Sequence, residues 1–246
     1  RMSTSTSSPR RRKNPIRLGD AFRAVRKLIA NPDGTDQVFV IISALSGNSG
    51  ERQFQRFSST SVGRRILSEE SDLLSVLMDR ETLHALPEGT LGHAYADFMT
   101  EEQISADGLV SASEEGGDGL SVDVDRDRFG MRMRDSHDLW HTTTGYGRDL
   151  LGEAALLAFT FAQTRSPGVG FIVAVAYLKA GGVPGARKLI RDGYRRGRRS
   201  AWLPAADWER LLGQPIQDVR AELGIEGSPK YDEMRSEAGA VALGAQ

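Results

Sequence analysis

The sequence predicts a mostly α-helical protein, built as a single-domain helical bundle. Apolar residues recur at helical spacing along most of the chain, and only residues 38–45 have the appearance of a buried strand. A lone strand has no partner with which to pair, so a buried helix is favoured there as well. With 246 residues, 39% of them hydrophobic, the chain is long enough to bury a sizeable core.

The apolar spacing defines the helices in order along the chain. A first helix begins near Leu18 and ends at the Asn-Pro-Asp-Gly turn of residues 31–34. Glycine and proline residues separate the helices that follow, and no internal repeat of fixed period is present. The predicted helices cover residues 38–45, 72–78, 91–99, 126–142, 149–163, 169–180, 186–199, 207–212 and 216–223.

The predicted helical domain spans residues 15–225. Residues 1–14 are rich in Ser and Thr and then basic, with no acidic residue before Asp20, so we expect a disordered basic tail. A mitochondrial transit segment and a basic contact to anionic lipid are the functional alternatives to a solvated tail. We expect residues 226–246 to form a flexible C-terminal tail.

The absence of cysteine limits the chemistry that the chain can carry. It excludes disulfides, thiolate nucleophiles, iron–sulfur clusters and every zinc site that uses cysteine. A metal here therefore needs His, Asp or Glu as ligands. The longest apolar stretch, residues 169–178, is far shorter than the roughly 20 residues of a membrane-spanning helix, which predicts a soluble or surface-bound protein.

Charge is unevenly distributed, although the formal net charge is only −1. The acidic, glycine-rich residues 101–125 predict a mobile surface loop rather than a metal site. The basic residues 187–199 indicate a solvated helix face, a phosphate or carboxylate clamp, or adhesion to an anionic membrane. Nucleic-acid binding is not expected, because one arginine cluster without interleaved aromatic residues is weak evidence for it.

The strongest local signal is the pair His137 and His141, with Asp138 between them and Glu153 further along. On a helix the two histidines lie roughly 40° apart and one turn apart, so their rings can converge on one ion. The Thr- and Gly-rich residues that follow are enough to break the helix. Asp149 then suits an N-cap, which places Glu153 in the first or second turn of a returning, antiparallel helix. A metal site between two antiparallel helices is therefore predicted.

Two imidazoles and two carboxylates suit zinc, iron(II), cobalt or manganese. The alternative to a metal site is that these are ordinary polar residues on an amphipathic helix. The His-Asp-x-x-His order is similar to a zinc-protease motif, in which Asp138 would be a general base. A non-hydrolytic site with a hydrophobic substrate fits better, because apolar residues such as Phe171 and Tyr177 follow; helix–helix core is their other interpretation. His84 and His93 stand apart and are expected to be surface or core histidines.

The chain resembles the coenzyme Q (ubiquinone) biosynthesis protein four family. The resemblance rests on His137-Asp138-x-x-His141, then eleven residues, then Gly152-Glu153. Two positions depart from the family pattern: His93 stands in place of an Arg, and Thr90 in place of a Ser. Further matches, in the same order as in the family, extend the resemblance over residues 18–225; they are residues 86–92 with Tyr95 and Phe98, residues 197–199, Trp208-Glu209 and residues 219–225.

The resemblance implies an all-helical fold, a bound divalent metal and conversion of C1 of a polyprenylated hydroxybenzoate ring, with loss of carboxylate and gain of hydroxyl. The metal ligands would be His137, Asp138, His141 and Glu153, with Asp138 and Glu153 also catalytic. Zinc is the metal type that the family implies, and iron or cobalt are alternatives. The activity would be that of a metal-dependent C1 decarboxylase or hydroxylase, a lyase. A non-catalytic polyprenyl-lipid-binding scaffold is the alternative, and a metallohydrolase is a third option.

The expected substrate contacts are Phe171, Tyr177, Arg195 and Arg196, with the arginines facing the anionic membrane or the polar head of the lipid. The expected partners are a polyprenylated hydroxybenzoate or other isoprenoid lipid, an anionic membrane surface, other ubiquinone biosynthesis proteins and a second copy of the chain. We expect a cytoplasmic protein peripheral to the inner membrane in a bacterium. In a eukaryote the corresponding place is the matrix face of the mitochondrial inner membrane.

Overall fold

The computed structural model describes residues 16–17, 19–21, 23–24, 35–103 and 123–234. The predicted basic tail, most of the first predicted helix and most of the acidic, glycine-rich region lie outside those residues. The described chain forms thirteen α-helices and two 3₁₀ turns, and its β structure is one isolated bridge between Thr90 and Pro215. The prediction of a mostly α fold is confirmed.

The helices follow one another with short connections. In chain order they are α1 (Thr35–Ser46), α2 (Ser49–Ser59), α3 (Ser61–Glu69), α4 (Leu73–Met78), α5 (Arg80–His84), α6 (Leu91–Glu101), α7 (Val124–Asp135), α8 (His137–Thr144), α9 (Leu150–Thr164), α10 (Pro167–Lys179), α11 (Ala186–Arg199), α12 (Trp208–Leu211) and α13 (Ile216–Leu223). The 3₁₀ turns are Ala180–Gly182 and Leu203–Ala205.

The strand-like run at residues 38–45 lies within α1, so the preference for a helix there is confirmed. The single helix predicted over residues 126–142 is wrong, because Ser136 separates α7 from α8. The hydroxyl of Ser136 donates to the carbonyl of Met133 at 3.3 Å, and serine side chains compete in this way with regular helical hydrogen bonding. The break makes the ligand-bearing α8 a separate short helix.

The central core surrounds α9, which packs chiefly against α11. The two helices approach closely because α11 presents glycines to α9: a Cβ on Gly193 would lie 2.3 Å from the carbonyl oxygen of Ala155, and one on Gly197 would lie 2.6 Å from that of Phe159. Full burial of one large apolar side chain contributes roughly 1.5–3 kcal/mol. The largest side chains buried in this core are Trp140, Trp208, Tyr95, Tyr146 and Phe159.

The segment after α13 contacts the loop that joins α8 to α9. Ile225 is buried in the core, and the backbone amide of Leu150 donates to the carbonyl of Met234 at 3.0 Å. Residues 226–234, part of the predicted flexible tail, make hydrogen bonds to the rest of the protein, whereas residues 235–246 lie outside the described chain and their flexibility stays a prediction. Among the described helices, none is both long enough and apolar enough to cross a bilayer.

Candidate metal centre

Two consecutive helices bring the four predicted ligands together. His137, Asp138 and His141 lie on α8, and their ligand-type atoms are all within 4.8 Å of one another. Glu153 lies in the first turn of α9, with its Oε1 3.3 Å from His141 Nε2. The imidazole rings of His137 and His141 are 4.8 Å apart and nearly perpendicular, at 75°. We call these four residues the candidate metal centre.

The hydrogen bonding of His141 fits a cation at this place. Its Nδ1 lies 2.9 Å from the carbonyl oxygen of Tyr146, which can only accept, so Nδ1 donates and a neutral ring presents a lone pair at Nε2. That Nε2 is buried and has no hydrogen-bond partner within the described chain. Beside the carboxylate of Glu153 this nitrogen requires a positive charge, which either a proton on Nε2 or a bound cation supplies. Histidine ligands commonly donate their other ring nitrogen to a backbone carbonyl.

The centre is buried at one end and open at the other. The side chains of His141 and Glu153 are 0% and 6% exposed, whereas that of His137 is 46% exposed. Burial would raise the pKa of both Asp138 and Glu153, but the positive charges of His137 and His141 outweigh burial and lower both pKa values. Burial would lower the pKa of His137, but its interactions with Asp138 and Glu153 raise it. Both carboxylates are therefore anionic, as metal ligands must be.

Three side chains that were not assigned a site role from the sequence surround the centre. Phe98 of α6 stacks on His141, with ring centroids 5.8 Å apart at 20°. The hydroxyl of Tyr95 is buried without a hydrogen-bond partner within the described chain, and burial together with the charge of Asp138 raises its pKa. The charge of Arg148 helps to lower the pKa values of Asp138 and Glu153. The first two appeared in the sequence only as parts of a longer match, and Arg148 carried no signal.

Two arginines cap the C-terminal end of α8. Arg220 donates to two carbonyls of residues 142–144, at 2.8 and 3.2 Å, and Arg196 donates to the third at 2.9 Å. Positive charge at a helix C-terminus stabilises the helix. The guanidinium of Arg196 also lies 4.9 Å from the ring centre of Tyr146. The structure thus places Arg196, expected at the lipid, against the end of the ligand helix.

A glycine-rich loop and the C-terminal segment hold Glu153 in place. Asp149 caps α9 as predicted, and the hydroxyl of Tyr231 donates to its Oδ2 at 2.7 Å. The same hydroxyl accepts from the amide of Gly147 at 2.9 Å. A Cβ on Gly152 would lie 2.1 Å from the carbonyl oxygen of Gly147, so only glycine fits there. Tyr231 belongs to no periodic pattern, so its role could not be predicted from the sequence.

An apolar groove of about 590 Å³ lies on α9, α10 and α11. Of the predicted lipid contacts, Tyr177 and Arg195 line the groove, whereas Phe171 is 36% exposed outside its lining and Arg196 caps α8. None of the four residues of the candidate metal centre lines it. The lining side chains are Phe161, Val173, Ala174, Tyr177, Leu178, Ile190, Arg191, Tyr194 and Arg195, with Gly170.

The remaining two histidines lie side by side, so the expectation that they stand apart from any cluster is wrong. The ring centroids of His84 and His93 are 5.8 Å apart, in an edge-to-face arrangement. Each ring lies close to a different oxygen of Asp97. The short helix α5 brings His84 back to α6, a path that sequence spacing does not reveal.

Comparison with known proteins identifies relatives of the chain. The family described as coenzyme Q (ubiquinone) biosynthesis protein Coq4 matches residues 16–229. Similar proteins include the mitochondrial ubiquinone biosynthesis protein COQ4 of Candida tropicalis, 30% identical over 73% of this chain, and its counterpart in Talaromyces stipitatus, 34% identical over 72%. The chain spans 55% and 60% of the lengths of those two relatives.

A solved structure has a similar fold. It is the crystal structure of a putative ubiquinone biosynthesis protein from Nostoc punctiforme, with a TM-score of 0.63 and 23% sequence identity. The similarity covers 87% of this chain and all of that one. The helical architecture is therefore found in an experimentally determined protein.

Proposed function

The chain belongs to the coenzyme Q (ubiquinone) biosynthesis protein Coq4 family, and from that premise we propose that it converts C1 of a polyprenylated hydroxybenzoate at a divalent metal held by the candidate metal centre. The observation that carries the proposal is the buried Nε2 of His141, which faces Glu153 at 3.3 Å without a hydrogen-bond partner within the described chain. A cation between the two groups satisfies both.

The donor set supports a divalent metal of intermediate softness. His137 and His141 offer nitrogen, and Asp138 and Glu153 offer oxygen, which suits zinc, iron or cobalt. When bound, the metal supplies a Lewis acid that stabilises negative charge as CO₂ leaves. In that reaction the bond between C1 and the carboxylate breaks, and its electron pair stays on the ring. A hydroxyl gained at C1 would take one atom of molecular oxygen, and the second atom would leave as water with two electrons and two protons from an external reductant.

Residues around the centre supply the remaining polar chemistry. The positive charge of Arg148 acts on both carboxylates of the centre, so it also attracts the carboxylate of an entering substrate. Tyr95 keeps its proton, because its pKa is raised, and its hydroxyl is an available hydrogen-bond donor. Asp138, whose side chain is 13% exposed, holds His137 and is the better placed of the two carboxylates to exchange a proton with solvent.

The apolar groove is the proposed site of the polyprenyl tail. Phe161 follows Glu153 by eight residues on α9, which is about 12 Å along the helix. A lipid whose ring lies at the centre can therefore reach the groove with its tail. Each CH₂ group buried there contributes on the order of 0.8 kcal/mol. Arg191 and Arg195 lie in the groove lining, where they can meet an anionic membrane surface and hold the protein at its periphery.

A non-catalytic scaffold is the second candidate. The groove contains none of the four metal-centre residues in its lining, so lipid binding does not require the metal. In that case the protein binds an isoprenoid lipid and organises other ubiquinone biosynthesis proteins, with a second copy of the chain as a further partner.

The deciding experiment supplies a prenylated 4-hydroxybenzoate to protein loaded with single metals, under air and under argon. CO₂ release and oxygen incorporation at C1 are followed for wild type, for Glu153→Gln and for Glu222→Gln, a control at an exposed ion pair with Arg210. The proposal expects turnover in wild type and the control, and its loss in Glu153→Gln. If no metal-loaded form of wild type releases CO₂ faster than Glu153→Gln, the enzyme proposal fails. Retained lipid binding in that case supports the scaffold.

A further inference from the structure

We propose that His84, His93 and Asp97 form a second divalent-metal site, separate from the candidate metal centre. His84 is the last residue of α5, and His93 and Asp97 lie one turn apart on α6. One ligand-type atom from each residue lies within 4.8 Å of the other two. Such a site would tie α5 to α6 across the turn that connects them.

The hydrogen bonding of His93 leaves its other ring nitrogen available to a metal. His93 Nδ1 lies 3.0 Å from the carbonyl oxygen of Leu86 and therefore donates to it, so a neutral ring presents its Nε2 lone pair. That Nε2 is 3.6 Å from Asp97 Oδ2, and His84 Nδ1 is 3.7 Å from Asp97 Oδ1. Both separations exceed a hydrogen bond. Ligands about 2.1 Å from a zinc ion lie no more than about 4.2 Å apart, so three donor atoms that lie within 4.8 Å of one another need only a small side-chain adjustment to bind one ion.

The backbone holds His93 in this position. Its amide lies 3.4 Å from the cap oxygen Oγ1 of Thr90, and the amide of Gly92 donates to the carbonyl of Leu212 at 2.8 Å. An outer hydrogen bond such as that from His93 to Leu86 fixes the ring orientation of a metal ligand. The site is therefore partly organised before any metal binds.

The exposure of the three side chains and the type of their donor atoms indicate which metals the site would bind. The side chains of His84 and Asp97 are 42% and 52% exposed, and that of His93 is 21% exposed. Two imidazoles and one carboxylate suit Zn²⁺, Co²⁺ or Ni²⁺, and water completes the coordination of an exposed ion. The alternative is an ordinary surface ion pair, which contributes little to stability and binds no metal.

The test is a titration of the metal-free 246-residue protein with Co²⁺ and with Zn²⁺ at pH 7.5, by calorimetry and by the visible absorption of cobalt. Wild type is compared with Asp97→Asn, His84→Gln and His141→Ala, and with Asp218→Asn as a control at an exposed carboxylate on α13. Loss of an outer-shell partner alone weakens metal affinity about 10- to 100-fold. Loss of a ligand is expected to weaken this site by at least 10-fold.

We expect wild type and Asp218→Asn to bind two equivalents of metal, and each of the other variants to bind one. A single equivalent that disappears in Asp97→Asn but persists in His141→Ala supports this site and removes the candidate metal centre. A stoichiometry unchanged by both Asp97→Asn and His84→Gln overturns the second site and leaves the first intact. Absence of binding in wild type overturns both.

Discussion

Replacing Tyr231 by Phe tests how the candidate metal centre is held. The change removes one hydroxyl that donates to the buried carboxylate of Asp149 and accepts from the amide of Gly147. A hydrogen bond to a charged group contributes roughly 1.5–3 kcal/mol and a neutral one roughly 0.5–1.5 kcal/mol. Because Tyr231 is only half-buried, we expect the lower part of the summed range, about 2 kcal/mol of lost unfolding free energy.

For a chain of this size, 1 kcal/mol corresponds to roughly 2–4 °C in Tm, so Tm should fall by about 4–8 °C. Since Asp149 caps the helix that carries Glu153, metal affinity should fall as well. Urea unfolding and metal titration measure the two effects. Tyr177→Phe is the matched control, because its hydroxyl makes no hydrogen bond within the described chain. Equal stability and equal metal affinity for Tyr231→Phe and the control would refute the proposed role of the C-terminal segment.

Three further predictions concern packing, pH and charge. Gly152→Ala should lose about 1–3 kcal/mol of stability through overpacking, whereas Gly50→Ala, at an open helical position, should be neutral or gain up to about 1 kcal/mol; equal effects in urea unfolding would contradict this. Burial would raise the pKa of Glu209, but hydrogen bonding and charge from Arg132 lower it, so the pair stabilises the fold above about pH 4.3 and its contribution is lost as pH falls through the folded pKa. Glu209→Gln should lower the free energy of unfolding by about 1.5–3 kcal/mol at pH 7. If the difference in unfolding free energy between the variant and wild type is as large at pH 3 as at pH 7, the ion pair does not have this role. Arg195→Glu should weaken flotation with anionic liposomes by about 30-fold, at about 1 kcal/mol for each charge lost or gained near the surface; unchanged flotation that is indifferent to salt counts against a membrane contact.

Periodicity predicted helices such as α6 and α9, in which buried apolar residues recur at helical spacing. It missed α2, α3 and α5, whose exposed polar residues leave few buried positions: Phe57 in α2, Ile66 in α3 and Leu83 in α5 among the large apolar residues. It also joined α7 to α8, because Ser136 is a weak signal beside glycine or proline. A helix stabilised by packing elsewhere in the fold needs no strong local pattern.

The four residues of the candidate metal centre were predictable because fixed spacing on a helix places side chains on one face. The residues that hold these four in place could not be predicted, because Arg220, Arg196 and Tyr231 come from distant parts of the chain. The pairing of His84 with His93 could not be predicted either. It depends on the turn that connects α5 to α6, and helical periodicity carries no information about a turn.

The proposed enzyme function depends on binding of a divalent metal at the candidate metal centre. Anomalous diffraction from crystals of natively purified protein, measured at energies that distinguish zinc, iron and cobalt, tests it most directly. We expect a peak enclosed by His137, Asp138, His141 and Glu153 at the absorption edge of one of these metals. Crystals of folded protein that show no peak at that position at any of these edges, after soaking with each metal, would contradict it.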